Sequence, residues 1–280
     1  MEKGKENNLQ QIIRDLGRVL IAYSGGIDST LLAVVAHQEL GSNAVAVTAV
    51  SPSLPSSDLE EAQAIARQFG CVHVLIESHE LENPDYQANT PLRCYFCKHE
   101  VYGELVEYGR QHDFQFIIDG TNLDDIGDIR PGRKAAAEYG VRSPLIEAQF
   151  TKQDVRDLAR QIGLPNWDKP SAACLSSRIP HGTPVTIQLL SQVEQAELVL
   201  HGLGIRQARV RHHGEMARLE VPPDDFETVL SQREKVVEQL RAIGYTFVAL
   251  DLVGYRMGSL NELVKAQSAA QIGATERTII

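Results

Sequence analysis

The sequence has no run of about 18 consecutive apolar residues, so no segment is expected to cross a membrane as a helix. Its start, MEKGKENNLQQIIRDLG, carries charge but no apolar stretch, and a secretory signal is not expected there. An excess of positive charge is also missing. Lys and Arg number 27 against 37 Asp and Glu, for a net charge of −10 and a pI near 5.4. Such a chain is poorly suited to gripping nucleic acid along a broad surface. Cysteine is scarce, at four in 280 residues. That is too few for a disulfide scaffold, and the thiols are expected to be free side chains, metal ligands or cluster ligands in a cytoplasmic protein. What is present is ordinary: 43% hydrophobic and 23% charged residues, enough for a soluble globular chain of one large or two modest domains.

From Arg18 to Leu164 short apolar runs alternate with helical patterns. Residues 18–23, 44–50, 72–76 and 114–119 are rich in Val, Ile and Phe and read as buried parallel strands. The intervening helices predict a doubly wound α/β sheet, with ligands outside the carboxyl ends of its strands. A further helix starts at Thr151, whose spacing to Asp154 fits a capping box, and stops at Gly163-Leu164-Pro165. Residues 165–185 lack periodicity and read as a linker. A helix, a hairpin near His213-Gly214, a second helix over about 223–243 and a last strand predict a smaller α+β domain. The expected division is therefore 1–164, a linker at 165–185, 186–270, and a flexible tail at 271–280. The first ten residues are expected to be frayed.

Ser24-Gly25-Gly26-Ile27-Asp28-Ser29-Thr30 follows the first strand and opens a helix. Two glycines allow a sharp turn that aims several N–H groups at one anion, and the helix dipole adds to them. The hydroxyls of Ser24, Ser29 and Thr30 are candidate donors to phosphate oxygens. Asp28 repels a bare phosphate, so its expected roles are to cap the helix and to hold Mg²⁺ on a polyphosphate. No Lys ends the loop, which distinguishes it from a Walker A arrangement.

Cys94 and Cys97 form a C-x-x-C, and Cys174 lies far off in the linker. Two thiolates from one turn and one from a distant loop suit three irons of a [4Fe-4S] cluster, leaving one iron open. Zinc with His99 or His181, a redox disulfide and plain packing are the alternatives. Cys71, opening a strand, reads as a small buried residue. Arg209 and Arg211 alternate onto one face of a strand, where two guanidiniums can clamp phosphate or carboxylate; a solvated strand face is the alternative.

The string Ser24–Thr30 resembles the motif of the PP-loop ATP pyrophosphatases, which split ATP between the α and β phosphates. Gly120, Thr121, Asp124 and Asp125, after the fourth strand, fall where that superfamily supplies a second wall to the ATP site. Arg130-Pro131-Gly132, Ser143-Pro144-Leu145, Thr151-Lys152, Trp167-Asp168-Lys169-Pro170, Ser177-Arg178-Ile179-Pro180 and Leu250-Asp251-x-x-Gly254-Tyr255-Arg256 complete an ordered set. From Val19 to about Asn261 this set resembles one branch, the LarE-type ATP-dependent sulfur transferases.

The resemblance implies ATP and Mg²⁺ as cofactors and a pyridinium-3,5-biscarboxylic acid mononucleotide as substrate. Its carboxylates would be adenylated and converted to thiocarboxylates, with sulfide or another sulfur donor, for the nickel-pincer cofactor of lactate racemase. It also implies that Arg178, Arg209 and Arg211 bind substrate and that Cys174, Ser177, Arg178, Glu197 and Asp225 belong to the catalytic region. On sequence alone Glu197 and Asp225 read as surface carboxylates. Some members donate the sulfur of their own cysteine, and others hold a cluster on three. The pair Cys94 and Cys97 points to the cluster form. A homo-oligomer is expected, with neither nucleic acid nor membrane as partner. A tRNA thiolase of the same superfamily and a non-catalytic nucleotide sensor are the competing readings.

Overall fold

A computed structural model describes residues 3–126, 131–170 and 173–256. Arg130, the region of Asn261 and the 271–280 tail lie outside the described residues. The chain divides into two compact units, Met1–Ala173 and Cys174–Ile280.

The first unit is a parallel four-stranded sheet with helices. Its elements are α1 (Lys3–Leu16), β1 (Val19–Ala22), α2 (Ile27–Leu40), β2 (Ala44–Val50), α3 (Ser56–Gln68) and β3 (Val72–Glu77). The short α4 (Pro84–Gln87) and the long α5 (Arg93–Gln111) lead to β4 (Phe116–Ile118). Then come α6 (Pro131–Glu138), α7 (Pro144–Glu147) and α8 (Lys152–Gln161). The strand order is β3-β2-β1-β4. The chain steps outward from β1 through β2 to β3, then returns to the other side of β1. The loops leaving β1 and β4 therefore flank the point where the winding reverses, the place where such sheets bind ligands.

Both faces of β1 are covered, with Val19, Leu20 and Ile21 buried, which accounts for its unbroken apolar run. α2 is buried over most of its first nine residues and lies in the main core beside Ile118, Phe150 and Leu158. The capping box of α8 forms as the spacing predicts: the Asp154 N–H donates to Thr151 Oγ1 at 3.2 Å, and the Thr151 N–H donates back to Asp154 Oδ2 at 3.0 Å.

Three expectations are corrected. Residues 3–10 are helical rather than frayed, because α1 runs from Lys3 and buries Leu9, Ile13 and Leu16 along one stripe. The fourth strand is only Phe116–Ile118, although an isolated parallel bridge from Ile118 to Arg142 extends that edge. Residues 165–170 are packed against the first unit: Asn166 is buried, and Lys169 pairs with Asp58 at 2.9 Å and with Glu61.

The second unit has α9 (Ile187–His201), β5 (Arg209–His213), β6 (Met216–Glu220), α10 (Phe226–Ser231), α11 (Arg233–Ala242) and β7 (Phe247–Leu250). β6 is central, antiparallel to β5 and parallel to β7. One sheet face, with Val210, Ala217 and Leu219, joins the helices in a core containing Leu200, Val236 and Leu240. The single helix expected at 223–243 is two, separated at Gln232.

The buried stripe of α1 gives a direct test. Ile13→Ala should destabilise the first unit by about 2–5 kcal/mol, as a cavity-forming core truncation does. Urea unfolding followed by the fluorescence of Trp167, the sole tryptophan, reads that unit. A frayed terminus would leave the midpoint unchanged.

Candidate active site

The turn after β1 is shaped by close packing. Gly25 has φ +72°, and a Cβ there would lie 2.9 Å from Ala62 Cβ of α3. Gly120, after β4, approaches α2 so closely that its Cβ would be 2.6 Å from the Ser29 nitrogen. Only glycine allows either approach. Gly26 is the N-cap of α2, and the first helical bond runs from the Thr30 N–H to the Gly26 carbonyl at 2.9 Å. The N–H groups of Ile27, Asp28 and Ser29 precede it and have no acceptor within the helix, the arrangement by which a helix N-terminus can receive an anion.

The side chains divide by role. Ser24 is exposed, whereas Ser29 and Thr30 are buried. Ser29 Oγ donates to the Gly26 carbonyl at 3.0 Å and accepts the Ser24 N–H at 3.2 Å, so it shapes the turn. Thr30 Oγ1 accepts from Asn166 Nδ2 at 3.2 Å, and the same amide lies 3.3 Å from the Gly25 carbonyl. Asp28 does not cap α2, contrary to expectation, since no side-chain cap bond forms. It sits in the first turn and accepts from Asn122 Nδ2 at 2.9 Å and from Lys152 Nζ.

The segment Gly120–Asp125, the expected second wall, is held by carboxylates. Asp119 accepts the Thr121 N–H at 3.1 Å and the hydroxyls of Thr121 and Ser143 at 2.8 and 2.7 Å. Asn122 forms a capping box with Asp125, and Asp124 accepts the Lys152 N–H at 2.8 Å. Lys152 thus bridges the wall and the turn. Asn122, Lys152 and Asn166 were not singled out from sequence as site residues, although the motifs resembling the family, Gly120–Asp125 among them, include Asn122 and Lys152 and border Asn166.

Cys94 and Cys97 occupy the first turn of α5 at i and i+3, with Cys94 exposed and Cys97 half-buried. Electrostatic attraction to Tyr102, and after it to Cys97, Asp119 and Cys94, outweighs burial and holds the Lys98 ammonium above its usual range. Among the described residues no three His, Cys, Asp or Glu side chains are grouped as a metal site. Cys71 is different: burial pushes its thiol up to about 11, which suits a packing role.

In the second unit Cys174 is the N-cap of a 3-10 turn, Leu175–Arg178. Arg178 is 2% exposed and makes a two-pronged ion pair with Glu197, at 2.8 and 2.9 Å. Its remaining nitrogen donates to the Cys174 carbonyl at 2.9 Å and to Ser177 Oγ at 3.0 Å. Arg211 pairs with fully buried Glu220 at 2.8 Å and donates to the Ser177 carbonyl at 3.0 Å. Two buried guanidiniums therefore brace the turn that begins at Cys174. Glu197 is not the surface carboxylate its sequence context suggested; it also accepts the Val210 N–H at 3.0 Å.

Arg209 lies on the same strand face as Arg211, its guanidinium 5.6 Å from the centre of the Tyr255 ring. Burial and then the charge of Arg178 push it below the usual arginine range, and its Nη1 donates to the Ala208 carbonyl at 2.9 Å. Asp225 is half-exposed at the end of the 3-10 turn Pro223–Asp225 and makes no cap bond.

Residues 12–92 match the asparagine synthase family. Over 267 residues the chain is 38% identical to the pyridinium-3,5-bisthiocarboxylic acid mononucleotide synthase of Lactiplantibacillus plantarum, covering 95% of this chain and 97% of that protein. The chain belongs to this synthase family. An uncharacterized protein of Synechocystis is 46% identical over 266 residues, 94% of this chain and 99% of its own length. One component of the glutamine-hydrolyzing GMP synthase of Archaeoglobus fulgidus is 27% identical over 220 residues, 71% of this chain and 68% of its own length.

In this synthase-family chain the sheet of the second unit carries two neighbouring histidines. Burial lowers the pKa of His212 from 6.5, and burial followed by Arg218 and His212 does the same at His213. The unfolded chain takes up these protons near the ordinary value and the folded chain only at lower pH. Their contribution is complete above pH 6.5 and is lost as pH falls below it. The melting temperature should drop between about pH 7 and pH 5, and His212→Gln should flatten that drop. A slope unchanged in the variant would contradict this assignment.

Proposed function

We propose that this chain is an ATP-dependent sulfur-inserting enzyme that converts the carboxylates of pyridinium-3,5-biscarboxylic acid mononucleotide to thiocarboxylates. The full-length likeness to the Lactiplantibacillus synthase carries this reading. The glycine-shaped anion site at the winding reversal supports it independently.

A carboxylate resists displacement because oxide is a prohibitive leaving group. Attack by a carboxylate oxygen on the α-phosphorus of ATP gives a mixed anhydride and releases pyrophosphate. A hydrosulfide sulfur then displaces AMP and gives up its proton, leaving the thiocarboxylate. The N–H groups of Ile27, Asp28 and Ser29, together with Ser24, would hold the departing phosphates. Asp28 fits a Mg²⁺ ligand, being a carboxylate in the first turn of α2 and only partly exposed, and the ion would neutralise pyrophosphate. Lys152 balances Asp28 and ties it to the second wall.

In the second unit Arg209, on the same strand face as Arg211, would meet the mononucleotide's phosphate or carboxylates. Arg178 and Arg211 act with it by fixing the Cys174–Arg178 turn. Cys94, Cys97 and Cys174 would hold a [4Fe-4S] cluster, which when bound supplies an open iron for a spare sulfide. The i, i+3 thiols beside Lys98 suit that donor set. The net charge of −10 disfavours the tRNA thiolase reading.

The experiment is anaerobic turnover with ATP, sulfide and the pyridinium mononucleotide. Pyrophosphate should appear only when the mononucleotide is present; its release without that substrate would remove the reading. Cys94→Ala should lose both iron-dependent colour and sulfur insertion. If Cys94→Ala stays active while Cys174 is left as dehydroalanine, lighter by the mass of H₂S, the cluster assignment fails.

A further inference from the structure

Where the chain leaves β2 and β3, a carboxylate lies buried in the first unit. Glu80 opens a 3-10 turn, Glu80–Glu82, and is 1% exposed. A buried carboxylate is costly unless its oxygens are hydrogen-bonded. Here three serines supply the bonds. Ser53 Oγ donates to Oε1 at 2.7 Å, Ser51 Oγ donates to the same oxygen, and Ser78 Oγ donates to Oε2. The Ser53 N–H also donates to Ser51 Oγ at 3.2 Å.

Ser51 and Ser53 belong to the segment Ser51-Pro52-Ser53-Leu54-Pro55, which leaves β2 and enters α3. Ser78 follows β3, and its N–H donates to the Val50 carbonyl at 3.0 Å. Glu80 thus ties the exit of β2 to the exit of β3. Two prolines and an internal bond from the Leu54 N–H to the Ser51 carbonyl at 3.0 Å stiffen the segment further. At its far end α3 begins, and α3 is the helix whose Ala62 contacts Gly25 of the anion site. An apolar side chain would fill the space of Glu80 at lower cost. The buried polar network instead fixes the conformation of one five-residue loop at the carboxyl edge of the sheet.

We propose that Glu80 is a positioning residue for the nucleoside end of the ATP site: through Ser51, Ser53 and Ser78 it sets the Ser51–Pro55 segment as the wall against which base and ribose lie. The hydroxyls of Ser51 and Ser53 are engaged by Glu80, so the wall presents backbone and apolar atoms in one prearranged shape, which lowers the ordering cost of binding. This inference rests on the reading that the turn at Ser24–Thr30 takes the triphosphate of ATP, since in a doubly wound sheet the ligand spreads over the carboxyl ends of the strands beside β1.

The test uses the full-length chain with ATP, AMP and inorganic pyrophosphate as probes, binding measured by calorimetry in the presence of Mg²⁺. Glu80→Gln should weaken ATP and AMP by about tenfold, the scale of losing hydrogen bonds to a charged group, and leave pyrophosphate binding unchanged. Ser53→Ala should shift ATP and AMP in the same direction by a smaller factor, and it decides the matter alone if Glu80→Gln does not fold. Equal weakening of all three probes would make Glu80 a general support of the fold and overturn the proposal, as would unchanged ATP binding in both variants. Wild-type protein that binds pyrophosphate but not ATP would sink the nucleoside wall while sparing the anion site. Wild-type protein that binds neither would remove the ATP reading and this proposal with it.

Discussion

Two backbone approaches that leave no room for a Cβ govern the first unit. Gly25 meets α3 at Ala62, and Gly120 meets the start of α2 at Ser29. Together they press the loops leaving β1 and β4 against each other at the winding reversal of the sheet. The turn is then held from several directions: Ser29 bonds to Gly26, Asn166 reaches Gly25 and Thr30, and Asn122 and Lys152 hold Asp28. The outcome is a set of N–H groups fixed in advance. A site already organised for developing charge needs no rearrangement at the moment of reaction, and that is the main electrostatic advantage an enzyme has over water.

The second unit uses a different device. Its sheet has an apolar face packed on helices and a polar face where Arg211 and Arg218 converge on Glu220, while Arg178 pairs with Glu197. Buried ion pairs contribute little net stability, because desolvation offsets most of the attraction. Their effect here is geometric. The spare nitrogens of Arg178 and Arg211 end on the carbonyls of Cys174 and Ser177, so the turn that starts at the distant cysteine has one conformation. Arginine suits this task because one planar group can satisfy a carboxylate and a backbone oxygen together.

Much of the architecture was legible in local pattern. The apolar runs marked β1, β2 and β3, the spacing of Thr151 and Asp154 marked the start of α8, and the string at Ser24–Thr30 marked the turn that opens α2. The stripe of Leu9, Ile13 and Leu16 was equally local and was missed because the first residues of a chain are ordinarily poorly ordered. What was not legible depends on contacts between residues far apart in the chain. Nothing near Asp28 announces that Lys152 lies on it, 124 positions away, or that Asn122 does so from 94. Glu197 reads as a surface residue until Arg178 and the Val210 N–H are placed against it. The serines around Glu80 are likewise ordinary loop residues until β2 and β3 end side by side. Local sequence reports propensity and periodicity; which polar groups are buried together is a property of the assembled sheet.

In the proposed reaction ATP activates a carboxylate oxygen of the pyridinium mononucleotide, and sulfur then displaces AMP. That route leaves an isotopic record. With the substrate carboxylates labelled with ¹⁸O, each sulfur inserted should carry one labelled oxygen into the phosphate of AMP, detected by mass spectrometry of the AMP released. AMP free of label, with thiocarboxylate still formed, would contradict the account, because the oxygen would then have left by a path that ATP did not open.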